Sequence, residues 1–322
     1  MKPRIGFIGL GNVGGKLAGS LLRNGFELLV SDLNPERVKE FCNRGARSGS
    51  TAKDMAMDCD IVITCLPNPA ASSEVVEGNN GLLEGLSEKK IWCEMSTTDE
   101  MEVLRLGEAV ARTGAIPVDC PVSGGCHRAA TGNISIFAGC DRPTFEKVLP
   151  VLTKLGRRIL HTGPLGSASV LKVLTNYLAT ANLVSICEAL ATASLAGLDM
   201  RKTYEAIRIS SGNSFVHETE GQVILNGSRD INFTMDLVVK DLSLFQAVAQ
   251  RVGAPLELSP LLLDIFSDAE ARYGSREWSP NVIKRLEEAT GIKVEAAGFP
   301  AEIVDNEPET EGHEVVNRAE NR

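Results

Sequence analysis

The chain begins with an apolar run that leads directly into a glycine-rich turn, and residues 4–14 read Arg4-Ile5-Gly6-Phe7-Ile8-Gly9-Leu10-Gly11-Asn12-Val13-Gly14. Three of these glycines have G-x-G-x-x-G spacing between a predicted strand and a predicted helix, residues 15–23. In that context the first glycine permits a tight turn, the second lets a pyrophosphate approach the backbone, and the third lets the helix pack against the strand. Ordinary turns also show this spacing, but the context favours dinucleotide binding through Gly9, Leu10, Gly11, Asn12, Val13 and Gly14.

An acidic residue, Asp32, closes the next apolar run, residues 27–32. A carboxylate at this position can accept hydrogen bonds from both hydroxyls of the adenosine ribose, and it repels the 2'-phosphate of NADP. The sequence therefore predicts NAD as the cofactor. An alternative is that Asp32 caps the helix beginning at Asn34-Pro35, and Arg37 lies close enough in sequence to weaken the preference for NAD.

The pattern around this motif predicts two domains. Through residue 164, strand-like runs alternate with helix-like segments, and the runs cover residues 4–9, 27–32, 60–66, 91–95, 116–122, 134–139 and 158–162. Runs that are apolar almost throughout are typical of a parallel sheet covered on both faces, so residues 1–164 are predicted to form an α/β, doubly wound Rossmann domain. An all-helical domain is predicted over residues 165–295, joined to the first by a long interdomain helix at residues 167–195. Its turns are expected at Gly197, Gly212, Gly253, Gly274, Pro255 and Pro260.

The last segment, residues 296–322, has a different composition. Residues 302–322 hold seven acidic residues and two arginines with almost no aromatic side chains. Such a composition favours weak order, and the tail is expected to be dispensable for chemistry.

Charge and hydropathy exclude several classes of function. The net charge is -9 with no basic stripe, which argues against a nucleic-acid partner. The longest uncharged apolar stretch, between Lys172 and Glu188, is shorter than the roughly 20 residues needed to cross a bilayer, so no membrane partner is expected. The first predicted strand begins at Arg4, so no signal peptide is expected. The eight cysteines form no CxxC pair and are interpreted as reduced structural thiols of a cytoplasmic protein.

Two further pairs of residues, Leu66-Pro67 and Ser96-Thr97, stand where predicted strands end. Ligands of open α/β sheets bind outside the carboxyl ends of the strands, so these pairs are candidate cofactor contacts. Each is equally consistent with a simple turn.

A second candidate site follows a later strand, at Pro121-Val122-Ser123-Gly124-Gly125. One hydroxyl and two unhindered amides suit an anion such as a carboxylate, although a Ser-Gly-Gly turn is often only structural. Lys172 and Asn176 share one face of the predicted long helix. A lysine there either extends its ammonium to water or is held in a cleft, where it is suited to proton transfer.

Taken together, these motifs resemble the β-hydroxyacid dehydrogenase superfamily, specifically the branch of 3-hydroxyisobutyrate dehydrogenase and tartronate semialdehyde reductase. The resemblance extends over residues 4–290 and includes the glycine turn, Asp119-Cys120-Pro121-Val122-Ser123-Gly124-Gly125, Lys172 with Asn176, and Lys240-Asp241-Leu242. It implies hydride transfer between NAD and a small hydroxy acid that carries a carboxylate, and a homodimer or homotetramer.

The resemblance also implies roles for individual residues. Lys172 is the expected catalytic acid/base, and Ser123, Gly124, Gly125 and Asn176 the expected substrate contacts. Leu66, Pro67, Ser96 and Thr97 line the nicotinamide side, while Phe233 and Lys240 lie near the cofactor. The four histidines lack metal-ligand spacing, so no metal is expected.

This chain departs from the family pattern at Cys120, Ala168 and Thr175, and Cys126-His127-Arg128 is bulkier and more basic than usual. Asn213, Ser214, Phe215 and His217 are candidates for the substrate pocket, although a surface turn explains them equally well. Three rival functions are considered: an inactive dinucleotide-binding scaffold, a 6-phosphogluconate dehydrogenase, and an imine reductase. The chain is too short for the second, and the presence of Lys172 argues against the first and the third.

Overall fold

The computed structural model describes residues 2–316, which form two compact units. The first unit comprises the chain through Lys172 together with the segment that begins at Asp305, and the second comprises Val173–Val304. The first unit thus extends past the predicted boundary at residue 164, because the start of the long helix is bonded to the sheet. There, Asp119 accepts hydrogen bonds from the amide and the hydroxyl of Ser169, both at 2.8 Å.

The first unit is built around one sheet. Its strands are β1 Ile5–Ile8, β2 Leu28–Ser31, β3 Arg47–Ser48, β4 Ile61–Thr64, β5 Ile91–Glu94, β6 Ile116–Asp119, β7 Val122–Ser123, β8 Ser135–Gly139, β9 Arg158–Gly163 and β10 His313–Glu314. The strand order is β10-β9-β8-β6-β5-β4-β1-β2-β3, with β7 paired to β8. The order β3-β2-β1-β4-β5-β6 is that of the Rossmann fold, and its direction of winding reverses beside β1, where the glycine turn begins.

Seven helices connect these strands, namely α1 Gly14–Arg23, α2 Pro35–Asn43, α3 Ala52–Asp58, α4 Pro69–Glu77, α5 Glu100–Arg112, α6 Gly125–Thr131 and α7 Arg142–Leu155. Their starts are encoded locally. Asn34, Asn68 and Asp141 each accept a hydrogen bond from an amide in the first turn of the following helix, and a proline follows within two positions.

The central strands are buried on both faces, which explains their continuous apolar sequences. Ile5 and Phe7 pack into one layer of helices, whereas Ile8, Leu29 and Trp92 pack into the opposite layer. This confirms the predicted doubly wound architecture.

The predicted strand at residues 116–122 is interrupted in the structure. It divides at Cys120-Pro121 into β6 and β7, and β8 runs antiparallel to both, so the sheet is not parallel throughout. Proline lacks an amide hydrogen and cannot donate to a neighbouring strand, which accounts for the break.

The second unit is helical. After α8 Ser167–Leu195, which starts in the first unit, it contains α9 Met200–Arg208, α10 Phe215–Asn226, α11 Met235–Val252, α12 Leu258–Tyr273 and α13 Lys284–Thr290. The predicted long helix has the bounds that the sequence indicated. Pro260, however, marks no turn: it lies in the first turn of α12, where an amide has no acceptor within the helix.

Among the described residues, α8 is the one helix long and apolar enough to cross a membrane by length and composition alone, with a mean hydropathy of 1.4 in its most apolar window. Core helices of soluble proteins meet the same criterion. The uncharged apolar stretch considered in the sequence lies between Lys172 and Glu188 and is therefore shorter than the whole helix, Ser167–Leu195.

The beginning of the acidic tail is structured. Strand β10 pairs in parallel with β9, with His313 opposite Arg158 and Glu314 opposite Ile159. This part of the tail is therefore ordered by strand pairing, whereas its composition favours weak order. The remainder of the tail, residues 317–322, lies outside the described residues.

Candidate active site

The glycine turn after β1 is shaped by close contacts between backbone atoms. Gly9 has a φ of 97°, and a Cβ atom there would lie 2.3 Å from the carbonyl oxygen of Cys65. A Cβ atom on Gly14 would lie 2.1 Å from the carbonyl oxygen of Gly9. Both positions therefore require glycine for the packing of the turn itself.

Gly11 is different, because the space around it is open. A Cβ atom on Gly11 would have its nearest neighbour at 3.6 Å, in the guanidinium of Arg37. Helix α1 starts three residues later with no side-chain cap at Val13 and no acidic residue in its first turn. Open space beside Gly11 and an uncapped helix N-terminus fit a pyrophosphate group.

Asp32 and Arg37 hold this turn from the neighbouring strand and helix. Oδ2 of Asp32 accepts a hydrogen bond from the Leu10 amide at 2.6 Å, and the guanidinium of Arg37 donates to the Leu10 carbonyl at 3.0 Å. Oδ1 of Asp32 accepts from the Asn34 amide at 2.8 Å. The cap of α2 is Asn34 rather than Asp32, since its Oδ1 accepts from the Glu36 amide at 3.0 Å.

A chain of hydrogen bonds connects the ends of β4 and β5. The Leu66 amide donates to Oγ of Ser96 at 2.7 Å, and the Ser96 amide donates to Oε1 of Glu94 at 2.9 Å. Glu94 is fully buried at the end of β5, and burial raises the pKa of its carboxyl. The predicted residues Leu66 and Ser96 are thus joined by a direct hydrogen bond, and Ser96 is held in turn by Glu94, a residue that the sequence did not single out.

Asp119 is a second buried carboxyl, and it lies opposite Glu94 in the register of β5 and β6. Burial raises its pKa to about 7; the hydrogen bonds from Ser169 oppose this rise and the charge of Glu94 adds to it. Through Ser169, Asp119 fixes the beginning of α8 three residues before Lys172, which is 8% exposed. The strand-end position of Asp119 and its place in the Asp-Cys-Pro-Val-Ser-Gly-Gly motif were the available signals for this role.

The Ser123-Gly124-Gly125 turn joins β7 to α6. Gly124 and Gly125 have φ values of 126° and 86°, a backbone conformation that favours glycine, and a Cβ atom on Gly125 would lie 2.9 Å from the His127 ring. The turn therefore has a structural need for both glycines. Ser123, which is half-buried, directly precedes these two glycines, and a hydroxyl with two glycine amides is a set of donors suited to an anion.

Another set of predicted residues is clustered in the second unit. Nδ2 of Asn176 donates to Oδ2 of Asp241 at 2.5 Å, and Nζ of Lys240 lies 2.8 Å from Oδ1 of the same carboxylate. Asp241 is 2% exposed. Phe233 packs against the core of this unit. Asp241 thus holds two predicted site residues, Asn176 and Lys240.

Ser214 and His217, two of the candidate pocket residues, have local structural roles. Oγ of Ser214 accepts a hydrogen bond from the His217 amide at 3.0 Å and caps α10. The His217 ring is fully buried against the Tyr204 carbonyl, 2.9 Å from Nε2, and burial lowers its pKa. These two residues therefore serve the start of α10, and a contribution to the substrate pocket stays a prediction.

Within residues 2–316, no group of three or more histidine, cysteine, aspartate or glutamate side chains is arranged to hold a metal ion. No disulfide joins the eight cysteines, all of which are described. Burial raises the pKa of the Cys65 and Cys140 thiols to about 12, as expected for inert structural cysteines.

Two family matches agree with this geometry. Residues 4–163 match the NAD binding domain of 6-phosphogluconate dehydrogenase, and residues 166–286 match the NAD-binding domain of NADP-dependent 3-hydroxyisobutyrate dehydrogenase. The fold and the glycine turn thus define an oxidoreductase that uses a nicotinamide dinucleotide.

Individual relatives narrow the class. The chain is 33% identical over 292 residues to 2-(hydroxymethyl)glutarate dehydrogenase of Eubacterium barkeri, covering 90% of this chain and 97% of the relative. It is 32% identical over 299 residues to the NAD-dependent L-serine dehydrogenase of Pseudomonas aeruginosa, covering 89% and 98% of the two chains. A crystal structure of 3-hydroxyisobutyrate dehydrogenase from Salmonella typhimurium superposes with a TM-score of 0.81 at 27% identity, covering 88% of this chain and all of that one. The chain belongs to the β-hydroxyacid dehydrogenase superfamily. The relatives named above are hydroxyacid dehydrogenases of this superfamily, whose cofactor is NAD or NADP.

Proposed function

We propose that this enzyme interconverts a β-hydroxy acid and its semialdehyde, prefers NAD to NADP, and uses Lys172 as the general acid/base. The observation that carries the proposal is the pair of hydrogen bonds from Ser169 to Asp119, which holds the segment bearing Lys172 at the end of β6. The Ser123-Gly124-Gly125 turn follows β7, the short strand that comes directly after β6 in the chain. These two positions support a proton carrier and an anion-binding turn near the carboxyl ends of β6 and β7.

Lys172 takes the proton of the substrate hydroxyl during oxidation, and its ammonium returns that proton during reduction. Its burial suits this role, because a proton carrier shielded from bulk water acts on the substrate rather than on solvent. NAD, when bound, accepts or returns the hydride at the carbon that carries the hydroxyl.

The substrate carboxylate is assigned to Ser123, Gly124 and Gly125. The hydroxyl and the two glycine amides supply donors without steric hindrance, and the turn conformation is fixed by its positive φ values. The family resemblance assigns Asn176 to the substrate oxygen. The bond from Asn176 to Asp241 would orient the amide for this contact.

The preference for NAD is supported by Asp32, and Gly9–Gly14 are assigned to the pyrophosphate. The Asp32 carboxylate stands at the end of β2, beside the turn, where it opposes a 2'-phosphate. Arg37 offers a positive charge close by, but its guanidinium is already bonded to the Leu10 carbonyl. Leu66, Pro67, Ser96 and Thr97 are assigned to the nicotinamide side, and Phe233 and Lys240 to the cofactor, on the family resemblance.

The substrate class follows from the names of the relatives. 2-(Hydroxymethyl)glutarate, L-serine and 3-hydroxyisobutyrate share a primary alcohol two carbons from a carboxylate and differ in the substituent between them. We assign this shared unit to the present enzyme. Assembly as a homodimer or homotetramer and a cytoplasmic location stay predictions.

The test is a panel of these three acids, with glycerate added, assayed with NAD and with NADP by the absorbance of the reduced cofactor. Isobutyrate, which lacks the hydroxyl, is the control substrate. We expect turnover of at least one hydroxy acid with a higher kcat/KM for NAD. No turnover of any of them with either cofactor would reject the proposed reaction, whereas equal kcat/KM for the two cofactors would reject only the preference.

A further inference from the structure

The beginning of the tail, residues 305–316, forms a strap across the first unit. Three of its acidic residues, Glu307, Glu309 and Glu311, are spaced two positions apart, and these three and Glu314 face cations of the unit. Arg157 lies 2.5 Å from Glu307, Arg23 lies 3.5 Å from Glu309, Lys154 lies 2.5 Å from Glu311, and Arg142 lies 2.6 Å from Glu314. Each of these four acids therefore has a cation of the first unit as its partner.

Backbone contacts add to the ion pairs. The Gly312 amide donates to the Thr153 carbonyl at 3.0 Å, and the Val315 amide donates to the Ile159 carbonyl at 2.7 Å. A Cβ atom on Gly312 would lie 2.0 Å from the Gly156 carbonyl oxygen, so the strap approaches the unit too closely for any other residue. This strap lies beyond residue 286, where the second family match ends.

Asp305, the first residue of the strap, is hydrogen-bonded to the last residue of α6. Oδ2 of Asp305 accepts hydrogen bonds from Oγ1 of Thr131 at 2.5 Å and from Nδ2 of Asn133 at 2.8 Å. The same Asn133 nitrogen donates to the Glu307 carbonyl at 2.9 Å, and Asn133 is 1% exposed. Burial alone would raise the pKa of Asp305, but the Thr131 and Asn133 hydrogen bonds keep it below the usual value.

The strap also contacts the middle of α6. Arg128, on this helix, lies 3.5 Å from Glu307. A Cβ atom on Gly124 would lie 3.4 Å from Cδ of Arg128, so the arginine stem packs beside the Ser123-Gly124-Gly125 turn. Thr131 at the end of this seven-residue helix and Arg128 in its middle are therefore both connected to the strap, and the Arg128 stem in turn packs beside the turn that precedes the helix.

We propose that Asp305, assisted by Glu307, is a positioning residue that holds α6 and thereby fixes the turn assigned to the substrate carboxylate. This inference rests on the proposed function of that turn. It gives the tail a role in substrate binding that its composition does not indicate. Asp305 acts through Thr131 and Asn133 and does not touch the substrate itself.

The experiment compares Asp305→Ala with Glu311→Ala. Both variants remove an acidic contact of the same strap, but Glu311 bonds to Lys154 on α7 and not to α6. Hydrogen exchange of the amides in residues 125–133 is the first measurement, because it needs no substrate. We expect about tenfold faster exchange in Asp305→Ala, little change in Glu311→Ala, and near-normal protection in Asp305→Asn, which keeps an oxygen acceptor.

The second measurement is steady-state kinetics with 3-hydroxyisobutyrate and NAD. Asp305→Ala should raise the KM of the acid by about five- to tenfold, while kcat and the KM of NAD change less than about twofold. Equal exchange and equal KM in Asp305→Ala and Glu311→Ala would overturn the inference and leave the strap as a general stabiliser.

Ser123→Ala distinguishes the positioning role of Asp305 from the carboxylate site itself. A raised KM in Ser123→Ala with a normal KM in Asp305→Ala would reject only the positioning role. A normal KM in Ser123→Ala would reject the carboxylate site, and the inference with it.

Discussion

The carboxylate of Asp32 accepts a 2.6 Å hydrogen bond from the amide of Leu10, so the residue predicted to select the cofactor also anchors the turn predicted to bind its pyrophosphate. One side chain therefore serves both the choice of cofactor and the shape of the turn, although Asp32 and Leu10 are 22 residues apart in the chain. Substitution of Asp32 is therefore expected to change both the choice of cofactor and the strength of cofactor binding.

Asp32→Ser should narrow the ratio of kcat/KM between NAD and NADP by about tenfold or more, which corresponds to roughly 1.4 kcal/mol. The serine removes the negative charge that opposes a 2'-phosphate. The KM for NAD should also rise, because the Leu10 amide loses its acceptor. Kinetics with both cofactors measure the ratio.

Asn34→Ala is the matched control for Asp32→Ser. It removes the cap of α2, at a cost of about 1 kcal/mol of stability, but leaves Asp32 in place. Its ratio between the cofactors should stay at the normal value. An unchanged ratio in Asp32→Ser itself would show that another group selects the cofactor.

Gly11→Ala should weaken NADH binding by about tenfold or more with little change in Tm. The added methyl group meets no atom of the protein closer than 3.6 Å, but it occupies the space through which a pyrophosphate approaches. Fluorescence titration with NADH and thermal unfolding measure the two effects.

Gly14→Ala provides the contrast, because its methyl group would lie 2.1 Å from the Gly9 carbonyl oxygen. We expect a clear loss of Tm in this variant. If Gly11→Ala binds NADH normally, the cofactor does not approach the turn at this residue.

The fold could be predicted largely because its signals are local. The apolar runs around Phe7, Val30 and Ile63 are buried on both faces of the sheet, and Ser167–Leu195 is one uninterrupted helix. The break between β6 and β7 and the pairing of β10 with β9 were missed. The first depends on the missing amide hydrogen of Pro121, and the second depends on pairing between residues far apart in the chain.

The candidate site could be predicted in its motifs but not in its supporting residues. Glycine spacing identified the turn, and the structure shows which of its glycines are needed for packing. Glu94 was not named from the sequence, and Asp119 and Asp241 were named only as members of motifs, without roles of their own. Their roles follow from the hydrogen bonds that they accept in the structure: Glu94 accepts from Ser96, Asp119 from Ser169, and Asp241 from Asn176.

Asp119 should make the protein less stable as the pH rises from about 4 to about 7. Burial raises its pKa from 3.8 to about 7, so the folded chain binds more protons than the unfolded chain across this interval. The free energy of unfolding therefore falls with rising pH, by up to about 1.4 kcal/mol per pH unit for one group. Asp119→Asn should flatten this part of the profile of Tm against pH.

Asp141→Asn is the control for the pH profile. The hydrogen bonds from Thr144 lower the pKa of Asp141, so its contribution to stability is lost only as the pH falls below 3.8. The slope between pH 4.5 and 7 should be normal in this variant. A normal slope in Asp119→Asn would mean that Asp119 is ionised throughout that range.

The central claim is that Lys172 carries the proton during hydride transfer, and the rate of Lys172→Ala tests it most directly. Removal of a general acid/base lowers kcat by roughly 10²-fold or more. Lys202→Ala, which changes an exposed lysine on α9, is the matched control and should keep normal kinetics.

The measurement is the pH profile of kcat for Lys172→Ala, together with its Kd for NADH. We predict a loss of about 10²-fold or more in kcat across the profile and an unchanged Kd, because the assigned dinucleotide contacts are other residues. Near-normal turnover of Lys172→Ala at every pH would contradict the account and show that another group moves the proton.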